Sequence, residues 1–303
     1  MTFWQQKSWG DMLVKSKQAD KIIHLNSLLI EKRSIGLGKY GLFILGIDNL
    51  GIIQDKEKEI LNLCKKEKAV FIQIETFNIN KEENKIKFKK LKNGYYKKFI
   101  TPYTTLIDLS KKEKQILDEM KPKGRYNIKI AEKKEIEVIE VDKNTKNIEV
   151  FYNLMQETTT RDNFSGNKID YYKIFLQTIK NSSLLIAYKD NTPISAGIFI
   201  FDKELSIYYY GASTNNKEYR NMMSPYLLQW TAIKKAKSID SKYYDFLGIA
   251  SPGEKNSSLA GVTDFKLKLS KDIINISDSY IWVNNIFLYK TFLLLRKLKA
   301  ILK

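Results

Sequence analysis

Three long apolar runs that follow one another in the second half of this 303-residue chain constrain its fold more than any other feature. They are SLLIAYK (183–189), TPISAGIFIFD (192–202) and LSIYYYGAS (205–213). Each is rich in β-branched and aromatic residues and is bounded by short polar links, which is typical of strands. The patterns that flank them indicate helices at Lys146–Arg161, Asp170–Lys180 and Pro225–Ala236 and a last strand in YYDFLGI (243–249). This succession predicts a mixed α/β unit.

The first third of the chain predicts a further unit of the same class. Its pattern indicates a helix (Ser8–Lys17), a strand (His24–Ile30), a strand (Leu42–Ile47), a helix ending at Lys66 and a strand (Ala69–Phe77). The charged segment Asn78–Gly94 is typical of an exposed loop with a short hairpin, and a domain boundary is expected near Pro102. A strand in TTLIDLS, a helix capped by Ser110 and a basic helix in KGRYNIK follow. Because a single core rarely grows beyond about 250 residues, two domains are expected.

The charge of the chain indicates the kind of partner. Lys and Arg number 52 against 34 Asp and Glu, which gives a net charge of +18 spread along the sequence. A basic surface favours an anionic partner. Nucleic acid, phosphorylated sugars and acidic lipid head groups all meet this condition, and net charge does not choose among them.

Histidine and cysteine each occur once, which narrows the chemistry. A zinc cluster or a Cys–His dyad needs several such side chains to converge, and a disulfide framework needs paired cysteines. We interpret Cys64, on the inner face of a helix, and His24, in a strand-like run, as buried structural residues. The start of the chain lacks the features of a signal peptide, and no apolar run approaches the ~20 residues of a membrane span, so a cytoplasmic protein is expected.

The segment GLGKYG (Gly36–Gly41) spells the G-x-G-x-x-G fingerprint of dinucleotide-binding proteins. That motif needs a helix directly after it, whose N-terminal amides hold the pyrophosphate. Here the strand-like LFILGID follows instead. The glycines therefore predict a hairpin turn that tolerates positive φ.

The order of helices and strands after Asp142 resembles that of the GCN5-related acetyltransferases. Those enzymes hold the acyl-CoA pyrophosphate on the backbone amides of a glycine-rich loop between a strand and a helix. Here that place holds TNNKEYRNMMSP (Thr214–Pro225), which contains no glycine and carries Met222 and Met223. Side chains there oppose the close approach of a phosphate to the backbone. The resemblance therefore implies the fold but not CoA as a cofactor.

Six segments in this order are similar to the Fem-type peptidyltransferases of the FemABX family. They are TLIDLSKKEKQILDEMKPKGRYNIKIAEKKEIEV, ETTTRDNF, YYYGAS, YLLQWTAIKKAKS, YYDFLGI and GVTDFK. The resemblance covers most of the chain and implies an α/β (α+β) fold with two tandem acetyltransferase-like domains and no coiled-coil insertion. The first domain would comprise residues 1–102 and 279–303, with a C-terminal helix that completes it, and the second would comprise residues 103–278.

The resemblance also implies a reaction. The family takes an amino acid from aminoacyl-tRNA and attaches it to an amine on the stem peptide of a peptidoglycan precursor, lipid II or UDP-MurNAc-pentapeptide. Because an aminoacyl ester is already activated, attack by the amine needs positioning and charge stabilisation. We expect no metal, no cofactor and a monomer. Two other functions stay open, a CoA-dependent N-acyltransferase and a non-enzymatic protein that binds nucleic acid or anionic lipid.

The run SSLAGVTDFKLKLS (257–270) bears the implied catalytic residues. Its alternation predicts a half-buried strand with apolar residues on one face and Lys266 and Lys268 on the other. By match to the Phe-Lys pair of the family, the Lys266 ammonium would stabilise the oxyanion that forms on the attacked ester and protonate the leaving ribose oxygen. Phe265 would pack behind it. Lys268 is a rival, because LKLS replaces the glycine-rich segment that often follows the pair.

Implied ligands of the precursor lie in both domains. Arg161 in ETTTRDNF matches the family position for the diphosphate, which a guanidinium fork suits. An ion pair with Asp162 or Glu157 at the end of the helix is the alternative. Near the N-terminus, QQKSWGDMLVK is similar to a family segment and offers Trp9 and, as a phosphate ligand, Lys15.

Further implied site residues lie on two strands and one helix. Tyr209 and Tyr210 are consecutive, so one is expected to point to the cleft and the other to the core, and the family favours Tyr210 for the cleft. Glu75 would orient the attacking amine, with a charged strand end as the alternative. The KGRYNIK helix predicts contacts with the tRNA backbone, with a structural role as the alternative. Its cations are Lys123, Arg125 and Lys129.

The tail IWVNNIFLYKTFLLLRKLKAILK (281–303) predicts a helix with a leucine-rich face and basic flanks. A helix that completes the first domain is the first interpretation. Peripheral contact with the inner leaflet of the plasma membrane is the second, because apolar and basic residues together suit an anionic bilayer surface.

Overall fold

The computed structural model describes residues 2–79, 87–254 and 256–301. The chain divides into two compact units, one formed by Met1–Pro102 with Asn275–Lys303 and the other by Tyr103–Ile274. The helices are α1 (Lys7–Lys15), α2 (Leu50–Asp55), α3 (Glu57–Lys66), α4 (Glu113–Glu119), α5 (Pro122–Lys133), α6 (Thr145–Asp162), α7 (Ile169–Thr178), α8 (Lys217–Arg220), α9 (Ser224–Ser238), α10 (Ala260–Leu269) and α11 (Ile286–Ile301). The strands are β1 (Lys21–Leu25), β2 (Leu28–Gly36), β3 (Lys39–Ile47), β4 (Phe71–Thr76), β5 (Lys92–Asn93), β6 (Tyr103–Asp108), β7 (Glu137–Val141), β8 (Ser182–Lys189), β9 (Thr192–Ile200), β10 (Leu205–Ser213), β11 (Tyr243–Asp245), β12 (Ile273–Asn275) and β13 (Ser279–Val283).

The first unit is built on a six-stranded sheet in the order β1-β2-β3-β4-β13-β5. The β3–β4 pair is parallel and the other pairs are antiparallel. Aliphatic side chains of β2, β3 and β4 pack against α2 and α3 in one core that includes Cys64. The predicted burial of Cys64 is confirmed. The predicted burial of His24 is wrong, because its side chain points to solvent from the edge strand β1.

Turn residues set the first two hairpins of this sheet. Gly36 and Gly38 join β2 to β3 with φ of +104° and +65°, so the predicted glycine hairpin is confirmed. The single strand predicted at His24–Ile30 is wrong. Asn26 takes a left-handed φ of 52° and divides that run into β1 and β2.

The C-terminal segment supplies both a strand and a helix to the first unit. Strand β13 lies between β4 and β5, and α11 follows from Ile286. The helix predicted from residue 281 is therefore wrong at its start. Phe292 of α11 is buried, whereas Phe287 and Leu294 are 76% and 59% exposed. The loop predicted at Asn78–Gly94 lies partly outside the described residues, and β5 falls within its described part.

The second unit contains a seven-stranded sheet in the order β12-β6-β11-β10-β9-β8-β7. Strands β10 and β11 run parallel, whereas β6–β11, β9–β10, β8–β9 and β7–β8 are antiparallel pairs. The three apolar runs of the sequence form β8, β9 and β10 as predicted, and α5 and α9 contribute to their core. The cap predicted at Ser110 is wrong. Helix α4 begins at Glu113, and the Ser110 hydroxyl donates to Asp108 instead.

The segment predicted as a strand around Lys266 is a helix, α10. Its more buried residues include Thr263, Lys266 and Leu269, whose three-residue spacing is helical. Polar residues on the inner side of the helix hide this period from a hydrophobicity pattern, and the alternating leucines and lysines imitate a strand. In the structure, Lys266 is therefore a buried residue of a helix and not an outward-facing residue of a strand.

Candidate functional site

The turn after β11 presents two backbone carbonyls to a buried lysine. Leu247 takes a left-handed φ of 55°, which few residues other than glycine adopt. The carbonyl oxygens of Leu247 and Gly248 accept hydrogen bonds from Lys266 Nζ at 3.2 and 2.8 Å. Lys266 reaches them from α10 and keeps 6% of its surface exposed. Backbone atoms therefore fix the position of its amine.

Two opposing effects set the protonation of Lys266. Burial lowers the pKa of its amine to about 8, and the negative charge of Asp245 opposes that shift. At neutral pH the ammonium form prevails. An ammonium carries three N–H donors, of which the two carbonyls occupy two. One donor is left for a ligand.

Asp245, at the end of β11, is fully buried. Its Oδ1 accepts hydrogen bonds from the Thr104 hydroxyl and, at 2.8 Å, from the Leu247 N–H. Burial raises the pKa of its carboxyl to about 6, and these two hydrogen bonds and the charge of Lys266 oppose the rise. Asp245 was not predicted from the sequence. A charged side chain inside the apolar run YYDFLGI was the signal that could have found it.

The rival lysine has a different setting. Lys268 Nζ lies 2.5 Å from the Asp264 carboxylate, one turn away on α10. An ion pair of this kind on a helix surface contributes about 0.5 kcal/mol or less. The Phe265 ring packs against Tyr226 of α9 with 5.0 Å between centroids. The geometry favours Lys266 over Lys268 as the functional cation.

A cavity of about 390 Å³ opens beside Phe265 and Tyr226. Its wall carries the cationic side chains of Arg161, Lys217 and Arg220, and its described lining residues include no carboxylate. Lys217 and Arg220 were not singled out from the sequence, because an exposed basic residue is unremarkable in a chain of this charge. Together the three cations suit an anionic ligand.

Arg161, in the last turn of α6, contacts polar groups on both sides. Its Nε and Nη2 bond to the Asp162 carboxylate at 2.8 and 3.0 Å. Its Nη1 lies 3.2 Å from Ser213 Oγ and 3.3 Å from the Thr214 carbonyl oxygen. The ion pair with Asp162, given above as the alternative, is present, whereas Glu157 bonds to Thr214. Arg161 nevertheless lines the cavity.

Tyr209 and Tyr210 do not alternate as predicted. The register of β10 shifts between Tyr208 and Tyr210, so that Tyr209 sits in a β-bulge. Both rings contact Phe175 of α7, at 4.9 and 5.8 Å between centroids. The Tyr210 hydroxyl donates to that of Tyr171 at 2.9 Å, and burial raises its pKa well above the ordinary value. The prediction that one ring faces the cleft and the other the core is therefore wrong.

Two of the site residues predicted in the first unit, Trp9 and Lys15, differ in burial. Trp9 is buried in the core and donates from Nε1 to Glu31 at 3.1 Å, a setting that favours packing over direct contact with a substrate. Lys15 is exposed at the C-terminal end of α1.

Glu75, near the end of β4, is fully buried. Its carboxylate accepts hydrogen bonds from the Phe99 N–H at 3.1 Å, the Ile100 N–H at 2.6 Å and Gln73 Nε2 at 2.6 Å. Burial raises the pKa of this carboxyl to about 7, and the hydrogen bonds oppose the rise. The setting favours a structural role, because Glu75 anchors the backbone of the segment that precedes Pro102.

The predicted tRNA-contacting residues of α5 fall into two groups. Lys123 and Lys129 are exposed, and the Lys123 ammonium lies 5.0 Å from the centre of the Tyr126 ring. Arg125 donates from Nη1 to carbonyl oxygens at the end of α4, so its predicted structural alternative is favoured. At Gly124 an added Cβ would lie 2.1 Å from the Lys268 carbonyl oxygen, so glycine allows α5 to approach the end of α10.

Within residues 2–79, 87–254 and 256–301 there is no group of three or more His, Cys, Asp or Glu that could hold a metal ion. None of the described helices combines the length and the apolar character that crossing a bilayer requires.

Comparisons with known proteins give matches in sequence and in structure. A model of the FemAB family matches residues 82–190 and 179–297, together more than half of the chain. The aminoacyltransferase FemA of Staphylococcus epidermidis is 34% identical over 107 residues, which are 35% of this chain and 25% of that protein. FemA of Staphylococcus aureus strain MW2 is 30% identical over 107 residues, which are again 35% of this chain and 25% of that protein. The chain thus spans about a quarter of the length of these relatives.

Solved structures match over nearly the whole chain. The crystal structure of FemX superposes with a TM-score of 0.80 at 15% identity, over 96% of this chain and 94% of that one. The structure of L-PGS from Bacillus licheniformis gives a TM-score of 0.56 at 13% identity, over 92% and 88%. At these identities the likeness concerns the fold. It confirms the predicted α/β fold class.

Proposed function

Because this chain belongs to the FemAB family, we propose that it transfers an amino acid from aminoacyl-tRNA to an amine on the stem peptide of a peptidoglycan precursor. The acceptor would be lipid II or UDP-MurNAc-pentapeptide, and the reaction would be a step in the synthesis of the interpeptide bridge. The matching segment of a protein named aminoacyltransferase FemA supports the reaction class. Aminoacyl-tRNA is a cytoplasmic substrate, so the reaction would take place there.

The observation that carries this proposal is the placement of Lys266. Its ammonium is buried, is held by two carbonyls and keeps one N–H donor for a ligand. A donor that is already in position stabilises an oxyanion without reorganisation, which is how such groups accelerate acyl transfer.

The proposed reaction needs no group beyond the chain and its substrates. The neutral acceptor amine attacks the ester carbon, a C–N bond forms, and the carbonyl oxygen becomes an oxyanion facing the Lys266 ammonium. The intermediate then re-forms its C=O bond and breaks the C–O bond to the tRNA ribose. Lys266 gives a proton to the leaving ribose oxygen and regains one from the new amide nitrogen. Phe265, which precedes this lysine on α10, lines the cavity.

The cationic cavity supports an anionic substrate in the second unit. Arg161, Lys217 and Arg220 would contact phosphate oxygens, with Tyr209 and Tyr210 supporting the adjoining helix α7. We assign the exposed α5 cations to the tRNA backbone. We assign the precursor diphosphate to Arg161, and we assign precursor binding by the first unit to Lys15, its exposed phosphate ligand.

Contact with the inner membrane leaflet is a further part of the proposal. The exposed apolar residues of α11 with described side chains are Ile286, Phe287, Leu294, Leu295 and Leu298. Lys290 and Lys297 lie on the same helix and are exposed. A helix surface of this composition suits an anionic bilayer. Phe287→Ser should lower sedimentation with phosphatidylglycerol vesicles, whereas sedimentation equal to that of the wild type would remove this part.

The test of the function is a transfer assay. The protein is incubated with a mixed pool of labelled aminoacyl-tRNAs and with each precursor form, and the label is followed by mass spectrometry. We expect a mass increase of one or more aminoacyl groups on the stem peptide of one form. No transfer to either form would overturn the proposal in favour of a non-enzymatic binding protein. A parallel reaction with acetyl-CoA tests the N-acyltransferase alternative.

A further inference from the structure

We propose that Asp245 is a positioning residue. Its carboxylate fixes the turn that presents two carbonyls to Lys266, and its negative charge keeps that side chain in the ammonium form. The inference rests on the proposed role of Lys266 in aminoacyl transfer. It concerns a residue that does not itself touch the substrate.

Asp245 is hydrogen-bonded to the turn that follows β11. Asp245 Oδ1 accepts from the Leu247 N–H at 2.8 Å, which closes a turn over the residue between them. That hydrogen bond compensates the left-handed φ of Leu247. The carbonyls of Leu247 and Gly248, which bond to Lys266, belong to the same turn. The Thr104 hydroxyl of β6 donates to Oδ1 as well and locks the carboxylate in place.

The second carboxylate oxygen of Asp245 does not take part in the turn. Asp245 Oδ2 is buried and has no hydrogen-bond partner among the described residues. An unpaired buried carboxylate oxygen is costly, so its retention needs a reason. Among the residues that the structure describes, no ion pair within 4.0 Å joins Asp245 to Lys266, although their charges interact. The charge therefore favours the ammonium without occupying its third N–H.

Other charged groups near α10 are engaged elsewhere. On α10 itself, Asp264 and Lys268 pair with each other at the surface. On α9, Tyr226 lies beside Lys268 and Phe265. On α5, Arg125 bonds to the end of α4, and the other basic side chains point to solvent. Asp245 is the one charged group, among the described residues, that acts on the protonation of Lys266.

The test is a titration of Lys266 without substrate. Lysine labelled with ¹³C at Cε is followed by NMR from pH 5 to 11, and the Lys266 resonance is assigned by its loss in Lys266→Met. In Asp245→Asn the amide oxygen can still accept from Leu247 and Thr104, but the charge is gone. We expect the midpoint of Lys266, about 8 in the wild type, to fall by about one pH unit or more. Asp264→Asn, which removes an exposed carboxylate from α10 itself, should leave the midpoint unchanged.

An unchanged midpoint in folded Asp245→Asn would overturn the inference. If that variant does not fold, the wild type alone decides. Its Lys266 resonance should show a second, smaller inflection near pH 6, where Asp245 ionises. A single inflection would then overturn the inference. Because the titration uses neither tRNA nor precursor, its failure is distinguishable from a failure of transfer.

Discussion

Two buried carboxylates, one in each unit of the molecule, stand near the ends of strands and differ in what surrounds them. Glu75 on β4 and Asp245 on β11 are both without exposed surface, and burial raises the pKa of both. Both oxygens of Glu75 accept hydrogen bonds, mainly from the backbone. Asp245 keeps one oxygen without a partner and interacts with the charge of Lys266.

The difference shows how the same chemical group, a buried carboxylate, serves two purposes. When fixed donors bond to both oxygens of a buried carboxylate, its hydrogen bonds hold the chain segment that carries those donors in place. A carboxylate that is only partly satisfied retains a charge that can act on a neighbour. On this basis we regard Glu75 as structural and Asp245 as functional, and the variants below test that division.

Glu75→Ala is expected to have the largest effect on stability. It removes the acceptor of the Phe99 and Ile100 amides and of the Gln73 side chain and leaves those buried donors unsatisfied. At about 1–3 kcal/mol for each of the three unsatisfied groups, the free energy of unfolding should fall by about 3–9 kcal/mol in total. Urea unfolding measures it, with Glu75→Gln as the control that keeps an acceptor. A loss below about 1 kcal/mol would remove Glu75 from the structural class.

Glu75 also predicts a dependence of stability on pH. Its pKa is raised from 4.5 to about 7 in the folded protein, so the folded state retains a proton that the unfolded state releases. Its contribution to the free energy of unfolding should therefore decrease as pH rises from 4.5 to 7 and stay level above that. At about 1.4 kcal/mol per pH unit, the decrease approaches about 3 kcal/mol. Plots of the free energy of unfolding against pH for the wild type and Glu75→Gln should diverge between pH 4.5 and 7. Parallel plots would contradict the assignment.

The pKa of Lys266, in the second unit, predicts that the rate of transfer depends on pH. Its ammonium is the proposed active form and its pKa is about 8, so kcat/KM for transfer, calculated on the concentration of neutral acceptor amine, should fall above pH 8 by about tenfold per pH unit. Initial rates between pH 6 and 10, corrected for hydrolysis of the aminoacyl ester, measure this limb. A kcat/KM that keeps rising through pH 9.5 on that basis would indicate that the neutral form of Lys266 is the active form.

The surface pair on α10 predicts the smallest effects. Removing either member of the Lys268–Asp264 ion pair should change the free energy of unfolding by about 0.5 kcal/mol or less, because exposed ion pairs contribute little. Thermal unfolding of Asp264→Asn and Lys268→Met measures the change. A larger loss, or an altered pH profile of transfer, would show that these neighbours belong to the site.

Much of the fold followed from sequence patterns. Long apolar runs predicted β8, β9 and β10, and amphipathic spacing predicted α3 and α6, because local burial and helical or strand period agree in these segments. The pattern failed where tertiary contacts decide. The inner side of α10 carries Thr263 and Lys266, polar residues that a hydrophobicity pattern assigns to the outside. The bulge at Tyr209 has no local signature, since three consecutive tyrosines fit a regular strand equally well.

The site was predictable only in part. Family likeness pointed to Lys266 and Arg161, but neither the Leu247 turn nor the cavity cations on α8 have a motif of their own. Asp245 interrupts an apolar strand, and that was its only signal. Its partners are Leu247 in the turn after β11 and Thr104 on β6, and the contact with Thr104, 141 residues away in the sequence, is set by the folded sheet.

The most direct test of the account compares two lysines two residues apart. Initial rates of amino acid transfer at pH 7 are measured for the wild type, Lys266→Met and Lys268→Met, with precursor binding measured in parallel and folding checked by circular dichroism. The account predicts a loss of about 10²–10³-fold for Lys266→Met with binding retained, as for removal of one oxyanion donor. Lys268→Met should stay within about twofold of the wild type. A folded Lys266→Met protein that keeps more than a tenth of the wild-type rate would contradict the central claim.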